Sequence, residues 1–381
     1  MTATATAYPA AQDVAPILHQ HFVTHVEAAR RANPTHEFTP VPSIETIKSS
    51  IDAAFWASLR RDENYIPRIS LALLPPERST PSLVFARSMP LTTTTLVRIA
   101  AAVERPGIHL GVWPVDGELR VWGAARGVPE YCFVLEVAAP GLLVVKHHRG
   151  EAGKFVNVAV LEGDQVKVID EQASSLPDCP PLLTSLLGFE AAGSWAGTVN
   201  VLVQLAVSMR THGRGGAMLV VPAGSDSWQE SIVRPAPYTA APPYSELAAL
   251  TRQEEAERVR RRWQDALAEA VSAVAGLTAV DGATILTTSY DVLVFGAKIA
   301  RRDGSPQVEQ VAVTEPIQGS SKAVMHPNRL GGTRHLSAAQ FVHDQRDSIA
   351  LVASQDGRFT VFAWSPCEEL VHAHRVETLL L

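Results

Sequence analysis

Two short glycine-containing runs constrain the C-terminal half of the chain more than any other feature. Asp281-Gly282-Ala283 is bordered by apolar residues on both sides, which predicts a strand end where glycine lets the backbone approach a ligand closely. Gly331-Gly332-Thr333-Arg334-His335 is typical of a glycine turn that opens a helix, and a helix N-terminus offers unpaired N–H groups to anions. Together the runs supply a carboxylate and a set of anion-binding donors, as a nucleotide site requires.

Each run also has an ordinary structural interpretation. Asp-Gly is common turn chemistry, so an isolated Asp281-Gly282-Ala283 is typical of a plain turn. The Gly-Thr-Arg-His run fits helix capping as well as anion binding. Their order in the chain, one run beside an apolar strand and the other opening a helix, favours a shared function.

In this order and context the motifs resemble the diadenylate cyclase (DAC) domain family. The family pattern is a strand of the Gly-Ala-Leu-Ile-Val type, then Asp-Gly-Ala, then Gly-Thr-Arg-His-Arg, then a strand that ends near Ser-Glu-Glu. The matching segments here are 214–221, Tyr244-Ser245-Glu246-Leu247, Asp281-Gly282-Ala283, Gly332-Thr333-Arg334-His335 and 347–354. The resemblance covers roughly residues 195–370.

The resemblance implies a mixed sheet, flanked by helices, that binds ATP. Two such domains would meet face to face and join two ATP molecules into cyclic di-AMP, with pyrophosphate leaving. The implied partners are ATP, a cyclic dinucleotide and a second copy of the chain, and the implied cofactor is Mg²⁺ or Mn²⁺. Carried over by position, the resemblance assigns catalysis to Asp281, Arg334 and His335, nucleotide contacts to Gly282, Ala283, Gly332, Thr333 and Ser337, and metal binding to Asp281 and Asp356.

Three departures from the family pattern bear on activity. Leu336 stands where the family has its second arginine, and Ser354-Gln355-Asp356 stands where the family has Ser-Glu-Glu. The charged helical segment 246–275 is longer than the pattern suggests. Two functions therefore remain open: an active cyclase controlled by its N-terminal domain, which Asp281 favours, and a nucleotide-binding sensor or effector that has lost turnover, which Leu336 favours.

The N-terminal half is predicted to form a domain of helices followed by strands. Helices are expected at 16–31 and at 43–61, with Ser43 as the N-cap of the second. Segments 69–74 and 82–86 are predicted to pair, and Asp116-Gly117 predicts a hairpin between 109–114 and 119–123. Further strands follow as far as residue 161. Through segments 132–136, 141–146 and 154–158, this region resembles the sensor regions that precede cyclase domains in some bacterial proteins, and its ligand is unknown.

The predicted fold class is α/β with α+β character. A helix-plus-sheet sensor-like domain is expected first, followed by a cyclase-like mixed sheet flanked by helices. The predicted divisions are a flexible N-terminus at 1–14, a sensor domain at 15–175, a connection at 176–194 and a cyclase-like domain at 195–375.

Composition limits the other functions that are open to the chain. A net charge of −6, without a recognised nucleic-acid motif, argues against a nucleic-acid partner. The chain has no run of eighteen apolar residues, which argues against a membrane span. Three cysteines, Cys132, Cys179 and Cys367, match no metal-site spacing and leave one unpaired in any disulfide scheme, so a cytoplasmic location is expected.

Two further patterns are predicted to be structural. The pairs His19/His21, His147/His148 and His372/His374 lie in polar stretches without a full set of metal ligands nearby, which predicts surface positions. Trp113 and Trp122 flank the hairpin turn, where a cross-strand core pair is favoured over stacking on a small molecule.

Overall fold

The chain divides into two compact units, residues 1–169 with Leu381 and residues 170–380. The structure is a computed structural model that describes residues 7–61, 66–79, 81–149, 154–170 and 200–381. The predicted connection at 176–194 and Cys179 lie outside the described residues.

Helices α1 (Pro9–Ala32), α2 (Ile44–Ser58) and α3 (Thr93–Ile99) belong to the N-terminal unit. Helix α1 buries Val14, Leu18, Phe22 and Val26, which recur every fourth residue and so lie on one face. It begins at Pro9, so residues 9–14, placed in the flexible N-terminus by the sequence, are helical. Ser43 caps α2 as predicted, with its Oγ accepting a hydrogen bond from the Thr46 N–H at 3.2 Å.

An eight-stranded mixed sheet forms the rest of the N-terminal unit, in the order β2-β4-β3-β1-β5-β6-β7-β8. Strand β1 is central, parallel to β3 and antiparallel to β5. The strands are β1 (Ser70–Leu73), β2 (Ser82–Pro90), β3 (His109–Val115), β4 (Glu118–Ala125), β5 (Phe133–Ala139), β6 (Leu142–Arg149), β7 (Lys154–Glu162) and β8 (Gln165–Val168).

The hairpin prediction in this sheet is confirmed. Strands β3 and β4 pair around Asp116 and Gly117, whose φ angles of 51° and 80° give the tight turn that an Asp-Gly pair favours. The predicted pairing of β1 with β2 is wrong, because β3 and β4 lie between them. The local turn signal at 75–81 could not reveal that β1 pairs in parallel with a strand almost forty residues later.

The two tryptophans of the hairpin both pack in one apolar cluster with Leu74 and Cys132. They are not directly opposite each other, because Trp113 pairs in register with Arg120. Trp122 is buried and its Nε1 donates a hydrogen bond to the Leu74 carbonyl at 2.8 Å. The structural interpretation therefore holds for both rings.

The C-terminal unit contains helices α4 (Val201–Thr211), α5 (Glu246–Thr251), α6 (Glu255–Arg258), α7 (Arg261–Leu277) and α8 (Thr333–Asp344). The segment 246–275, expected as a long helical stretch, is divided among α5, α6 and α7. Trp263 of α7 donates a hydrogen bond from Nε1 to the Leu250 carbonyl of α5 at 3.1 Å, which holds the broken segment in a folded-back arrangement. No helix in the described part of the chain is both long and apolar enough to cross a membrane.

A nine-stranded mixed sheet lies within this unit, in the order β10-β12-β11-β9-β15-β16-β17-β13-β14. Its strands are β9 (Gly216–Val221), β10 (Tyr238–Tyr244), β11 (Ala283–Thr287), β12 (Val292–Ala297), β13 (Val311–Thr314), β14 (Ala323–Met325), β15 (Ile349–Ala353), β16 (Phe359–Ser365) and β17 (Leu370–Arg375). Short 3₁₀ turns occur at Pro76–Arg78 and Ala100–Val103 in the first unit, and at Ser227–Ser231, Pro327–Arg329 and Glu377–Leu379 in the second.

Both faces of the central strand β9 are covered. Met218 and Val220 pack into one apolar core with residues of α4 and α7, whereas Leu219 and Val221 pack into another with residues of α8. The alternation follows from the two-residue period of a strand. The predicted fold class, a helix-plus-sheet domain followed by a mixed sheet flanked by helices, is confirmed.

Several histidines lie deeper than the sequence predicted. His147, His372 and His374 are buried, so the prediction that these pairs lie on the surface is wrong for all three. His372 and His374 belong to β17, which has a neighbouring strand on each side. Both side chains are therefore buried although polar residues lie near them in the sequence. Of the two cysteines that the structure describes, Cys132 is buried and Cys367 is exposed.

Candidate functional site

The two motifs of the C-terminal unit meet at one edge of its sheet. Strands β9 and β11 are parallel neighbours, with Ala217 opposite Ala283, and β15 runs antiparallel to β9, with Ala353 opposite Gly216. The N-terminal ends of β9 and β11 and the C-terminal end of β15 therefore share an edge. Segments that are far apart in the sequence, 214–215, 281–282 and 354–356, come together there.

Asp281 presents an exposed carboxylate at this edge, with its side chain 82% exposed. Its Oδ2 accepts a hydrogen bond from Lys298 Nζ, and this bond is the main cause of a carboxyl pKa below its ordinary value. The positive charge of Arg334 lowers the same pKa further. Asp281 is therefore ionised at neutral pH, and the two motifs lie within electrostatic reach of each other.

Gly282 adopts a φ of +117°, which favours glycine. A Cβ on this residue would lie 2.4 Å from the carbonyl carbon of Gly296, so the missing side chain makes room for the end of β12. The motif predicts that this glycine admits a ligand, whereas in the structure the close approach is made by a neighbouring strand. Ala283 is buried in the core, and its side chain is not part of the exposed surface at this edge.

Helix α8 starts at Thr333, after Gly332, which has no side chain to cap it. The Arg334 side chain reaches over the end of β9. Its Nη1 lies so close to Gly215 that a Cβ added to this glycine would be 3.1 Å away. The same added Cβ would lie 3.3 Å from Gln355 Cγ. Gln355 Nε2 also donates a hydrogen bond to the Arg214 carbonyl at 3.3 Å. The guanidinium thus lies close to the ends of β9 and β15.

His335 lies beneath the start of α8 and is only 2% exposed. Its Nε2 is 3.5 Å from Thr360 Oγ1, and its Nδ1 lies against Gly331 without a hydrogen-bond partner among the described residues. Burial is the main cause that lowers its pKa, so the ring is neutral at neutral pH. A ligand at the edge could reach the Nδ1 only after a local opening of the Gly331 turn.

The remaining predicted site residues lie around this edge with different exposure. Thr333 and Gly332 are exposed, and Ser337 is half-buried one helical turn further along α8. Asp356 is exposed, and its Oδ2 lies 3.4 Å from Arg358 Nε. Each of the two carboxylates proposed for metal binding thus already faces a cation, Lys298 for Asp281 and Arg358 for Asp356.

A divalent cation would have to complete its coordination from outside the protein. Among the described residues, no group of three or more His, Cys, Asp or Glu side chains is arranged to hold a metal ion. Mg²⁺ is commonly held by one or two carboxylates together with substrate phosphates and water. The exposed, ionised carboxylate of Asp281 fits that kind of shared coordination.

A second polar cluster lies at the opposite ends of β9 and β15, around a cavity of about 660 Å³. It contains Ser305, His343 and the buried Asp344, a set of residue types that also occurs in hydrolases. Here Ser305 Oγ at 3.5 Å and Asp344 Oδ1 at 3.0 Å both approach the same ring nitrogen, His343 Nδ1. A catalytic triad needs the serine and the carboxylate on opposite nitrogens, so this cluster is not one.

Comparison with known families adds a finding about the other unit. Residues 36–126 match a family described as the probable sensor domain DACNV. No curated protein matches the chain.

The matched range runs from the end of α1 through α2 and α3 to the end of β4. The matched family is the sensor region found ahead of diadenylate cyclase domains, which agrees with the resemblance expected for the N-terminal half. The segments on which that resemblance rested, between residues 132 and 158, lie outside the matched range. The matched range lies entirely in the N-terminal unit. The resemblance of the C-terminal unit to cyclases therefore rests on its sequence motifs.

Three features of the site were not predicted from the sequence: Lys298, Gly215 and the contact of Gln355 with the 214–215 segment. Lys298 could have been found by continuing the β11–β12 pairing. Because Ala283 is opposite Ala297, the residue after Ala297 falls beside the residues that precede Ala283. Gly215 lacked such a signal, since its role depends on the position of a side chain more than a hundred residues away.

Proposed function

We propose that the C-terminal unit binds ATP and condenses two ATP molecules into cyclic di-AMP and pyrophosphate. The observation that carries this proposal is the convergence of Asp281 and Arg334, about fifty residues apart, at one sheet edge where the Arg334 charge acts on the Asp281 carboxylate. A carboxylate next to a guanidinium suits a triphosphate with its divalent cation, because each charge on the ligand then meets an opposite charge.

In the proposed reaction the 3′-oxygen of one ATP attacks the α-phosphorus of the other. A new P–O bond forms, the bond from the α-phosphorus to the bridging oxygen of the β-phosphate breaks, the hydroxyl proton passes to solvent and pyrophosphate leaves. The reciprocal attack forms the second P–O bond in the same way, releases a second pyrophosphate and closes the ring. Arg334 would donate hydrogen bonds to the phosphates and offset the charge that develops on them. Thr333 and the uncapped start of α8 would add donors to the same phosphates.

Asp281 is proposed to hold a cation rather than to remove the proton. Its lowered pKa makes the carboxylate a weak base and keeps it charged, which suits a metal ligand. Mg²⁺ or Mn²⁺ bound there would neutralise phosphate charge and polarise the reacting oxygens. Asp356 is proposed as a further carboxylate for this cation, after release from Arg358.

The reaction needs two nucleotides whose reactive ends face each other. One chain supplies one set of Asp281 and Arg334, so we propose that two copies meet with these edges opposed. The N-terminal unit, whose residues 36–126 match a sensor domain, is proposed to control this output in response to a ligand of unknown identity.

A second candidate is a nucleotide-binding sensor or effector without turnover. Leu336 favours it, because this position of α8 supplies no second guanidinium to the phosphates. Gln355 favours it as well, because its neutral amide bonds to the Arg214 carbonyl and cannot bind a metal as a carboxylate would.

The test is incubation of the purified full-length protein with ATP and Mn²⁺ or Mg²⁺, with products separated by chromatography and identified by mass. Cyclic di-AMP is expected from the parent, and Asp281→Asn is expected to lower its rate by about a thousandfold, since the side chain keeps its shape and loses its charge. Asp265→Asn is the matched control, because Asp265 is another exposed carboxylate beside an arginine.

An Asp281→Asn variant that cyclises ATP at the parental rate would show that the assignment of Asp281 is wrong. If the parent makes no product and yet binds ATP or cyclic di-AMP, with binding weakened by Arg334→Met, the second candidate is correct. If it neither reacts with nor binds nucleotides, both candidates fail.

A further inference from the structure

Lys298 contacts Asp281 of the candidate site and has no role in the proposed reaction. It follows the last residue of β12, and its carbonyl accepts a hydrogen bond from the Val233 N–H at 2.8 Å. The backbone is thus fixed, while the side chain is 57% exposed and free to change direction. Its Nζ is paired with the Asp281 carboxylate.

This pairing puts Lys298 in competition with any metal ion. A divalent cation on Asp281 would share the carboxylate with the Lys298 ammonium, which now pairs with Oδ2, and the two positive charges would repel each other. Both side chains are mostly exposed, and exposed ion pairs change an equilibrium by no more than about fivefold. The pair is therefore weak enough to be displaced by a cation of higher charge.

Displacement would change the charge that the edge offers to phosphates. With the pair intact, the negative charge of Asp281 cancels the positive charge of Lys298, and the charge of Arg334 remains to attract phosphates. Once a divalent cation takes Asp281, the Lys298 ammonium is released next to the same edge. A lysine ammonium is a strong point-charge ligand for phosphate oxygens, and its flexible stem allows it to reach them.

We propose that Lys298 is a phosphate-binding residue. Asp281 pairs with it in the absence of metal and releases it when a divalent cation binds. The proposal rests on the proposed function, because it takes Asp281 as the metal-binding carboxylate and a nucleoside triphosphate as the ligand. The residue then has two opposite effects. It weakens binding of the metal alone and strengthens binding of the metal–nucleotide pair.

The test measures these two effects separately in the full chain. Binding of Mn²⁺ alone is followed by the electron paramagnetic resonance signal of the free ion. Binding of 3′-deoxy-ATP, which lacks the attacking hydroxyl, is then measured by calorimetry at saturating Mn²⁺. Lys298→Met is expected to tighten Mn²⁺ binding by about threefold to fivefold and to weaken 3′-deoxy-ATP binding by about tenfold.

Two control variants separate this role from a general change in charge. Lys298→Arg keeps the cation and should remain within about twofold of the parent in both measurements. Lys322→Met removes another exposed lysine of the same unit, one paired with Glu368 at 2.6 Å, and should leave both affinities unchanged. If Lys322→Met reproduces the effects of Lys298→Met, net charge is responsible and the proposal is overturned.

The same measurements on Asp281→Asn distinguish failure of this proposal from failure of the proposed function. Loss of Mn²⁺ binding in Asp281→Asn, with no effect of Lys298→Met on either ligand, would overturn the role of Lys298 and leave the metal site intact. Unchanged Mn²⁺ and 3′-deoxy-ATP binding in Asp281→Asn would overturn the proposed function itself. Opposite shifts of the two affinities in Lys298→Met would support the proposal.

Discussion

The N-terminal and C-terminal units both place helices against a mixed sheet, but their glycines make room for different groups. In the first sheet Gly111 and Gly123 face each other across β3 and β4, where the Trp122 ring and the Leu83 backbone fill the space. In the second, Gly215 and Gly331 make room for the side chains of Arg334 and His335. Close approach at Gly111 and Gly123 thus serves packing within the sheet, whereas at Gly215 and Gly331 it brings polar side chains against the backbone.

This difference shows why similar architecture does not imply similar chemistry. Function depends on which side chains a fold brings together, and many functions share one fold. The first unit uses its close contacts to seal an apolar cluster around Trp122. The second places a carboxylate, a guanidinium and an ammonium at one sheet edge.

The largest difference between the units should appear when alanine replaces a crowded glycine. Gly282→Ala is expected to lower the free energy of unfolding of the C-terminal unit by about 3–5 kcal/mol, because the new Cβ meets backbone that cannot move and φ is +117°. Gly111→Ala should cost the N-terminal unit about 1–3 kcal/mol, because the new Cβ overpacks the buried Trp122 ring but the φ of Gly111 is not in the positive range that strains alanine.

Hydrogen exchange read by mass spectrometry gives the opening free energy of each unit separately. Gly304→Ala is the control for φ alone, because Gly304 has a φ of +76° and nothing within 4 Å of an added Cβ, so a loss of about 1 kcal/mol is expected. A Gly282→Ala loss no larger than that of Gly304→Ala would contradict the tight contact with Gly296.

A smaller and similar effect is expected at one buried histidine in each unit. His109 bonds to Ser70 Oγ and His374 to Thr314 Oγ1, each at 2.7 Å through Nδ1. Burial lowers the pKa of His109 to about 4 and that of His374 to about 3. The unfolded chain therefore takes up protons first as the pH falls below about 6.5, so stability is present above that pH and is lost toward acid.

Each histidine should account for a loss of about 1.4 kcal/mol between pH 7.5 and pH 5.5. Chemical denaturation at these two pH values, with His109→Gln and His374→Gln, measures that loss. Each substitution should reduce the pH dependence of the unfolding free energy by this amount. An unchanged difference between the two pH values in either variant would mean that the histidine concerned is hydrated or protonated in the folded protein.

The smallest expected effect concerns the first turns of two helices, one in each unit. Ser43 accepts one hydrogen bond at the start of α2, whereas Asn200 accepts two at the start of α4, from the N–H groups of Leu202 at 3.1 Å and Val203 at 3.3 Å. Ser43→Ala and Asn200→Ala should each cost about 1 kcal/mol. Equal losses in thermal denaturation would show that the second bond adds little, and a larger loss for Asn200→Ala would show that it contributes.

The sequence was most informative where a local signal decides the structure. The Asp116-Gly117 turn and the Ser43 cap are set by neighbouring residues, and both were predicted correctly. Non-local pairing was less accessible. The turn residues between β1 and β2 do not indicate that β1 pairs in parallel with β3. The burial of His374 depends on strands β16 and β13, which lie on either side of it.

The candidate site shows the same limit at the level of side chains. Asp281 and Arg334 were found through motifs, whose residue types carry the chemistry. Gly282 was correctly marked as a point of close approach, but the partner is the backbone of Gly296. The burial of His335 was not visible in the motif, because it depends on the packing of α8 over the sheet.

The meeting of β9, β11 and β15 at one edge also has a consequence for how the unit folds. Pairings between strands so distant in sequence close long loops, and the entropy of loop closure makes such contacts slow to form. The charged edge therefore exists only after the central sheet is complete, and a fragment with either motif alone would lack it. A ligand that bridges these strand ends would bind only the fully folded unit and would slow its unfolding.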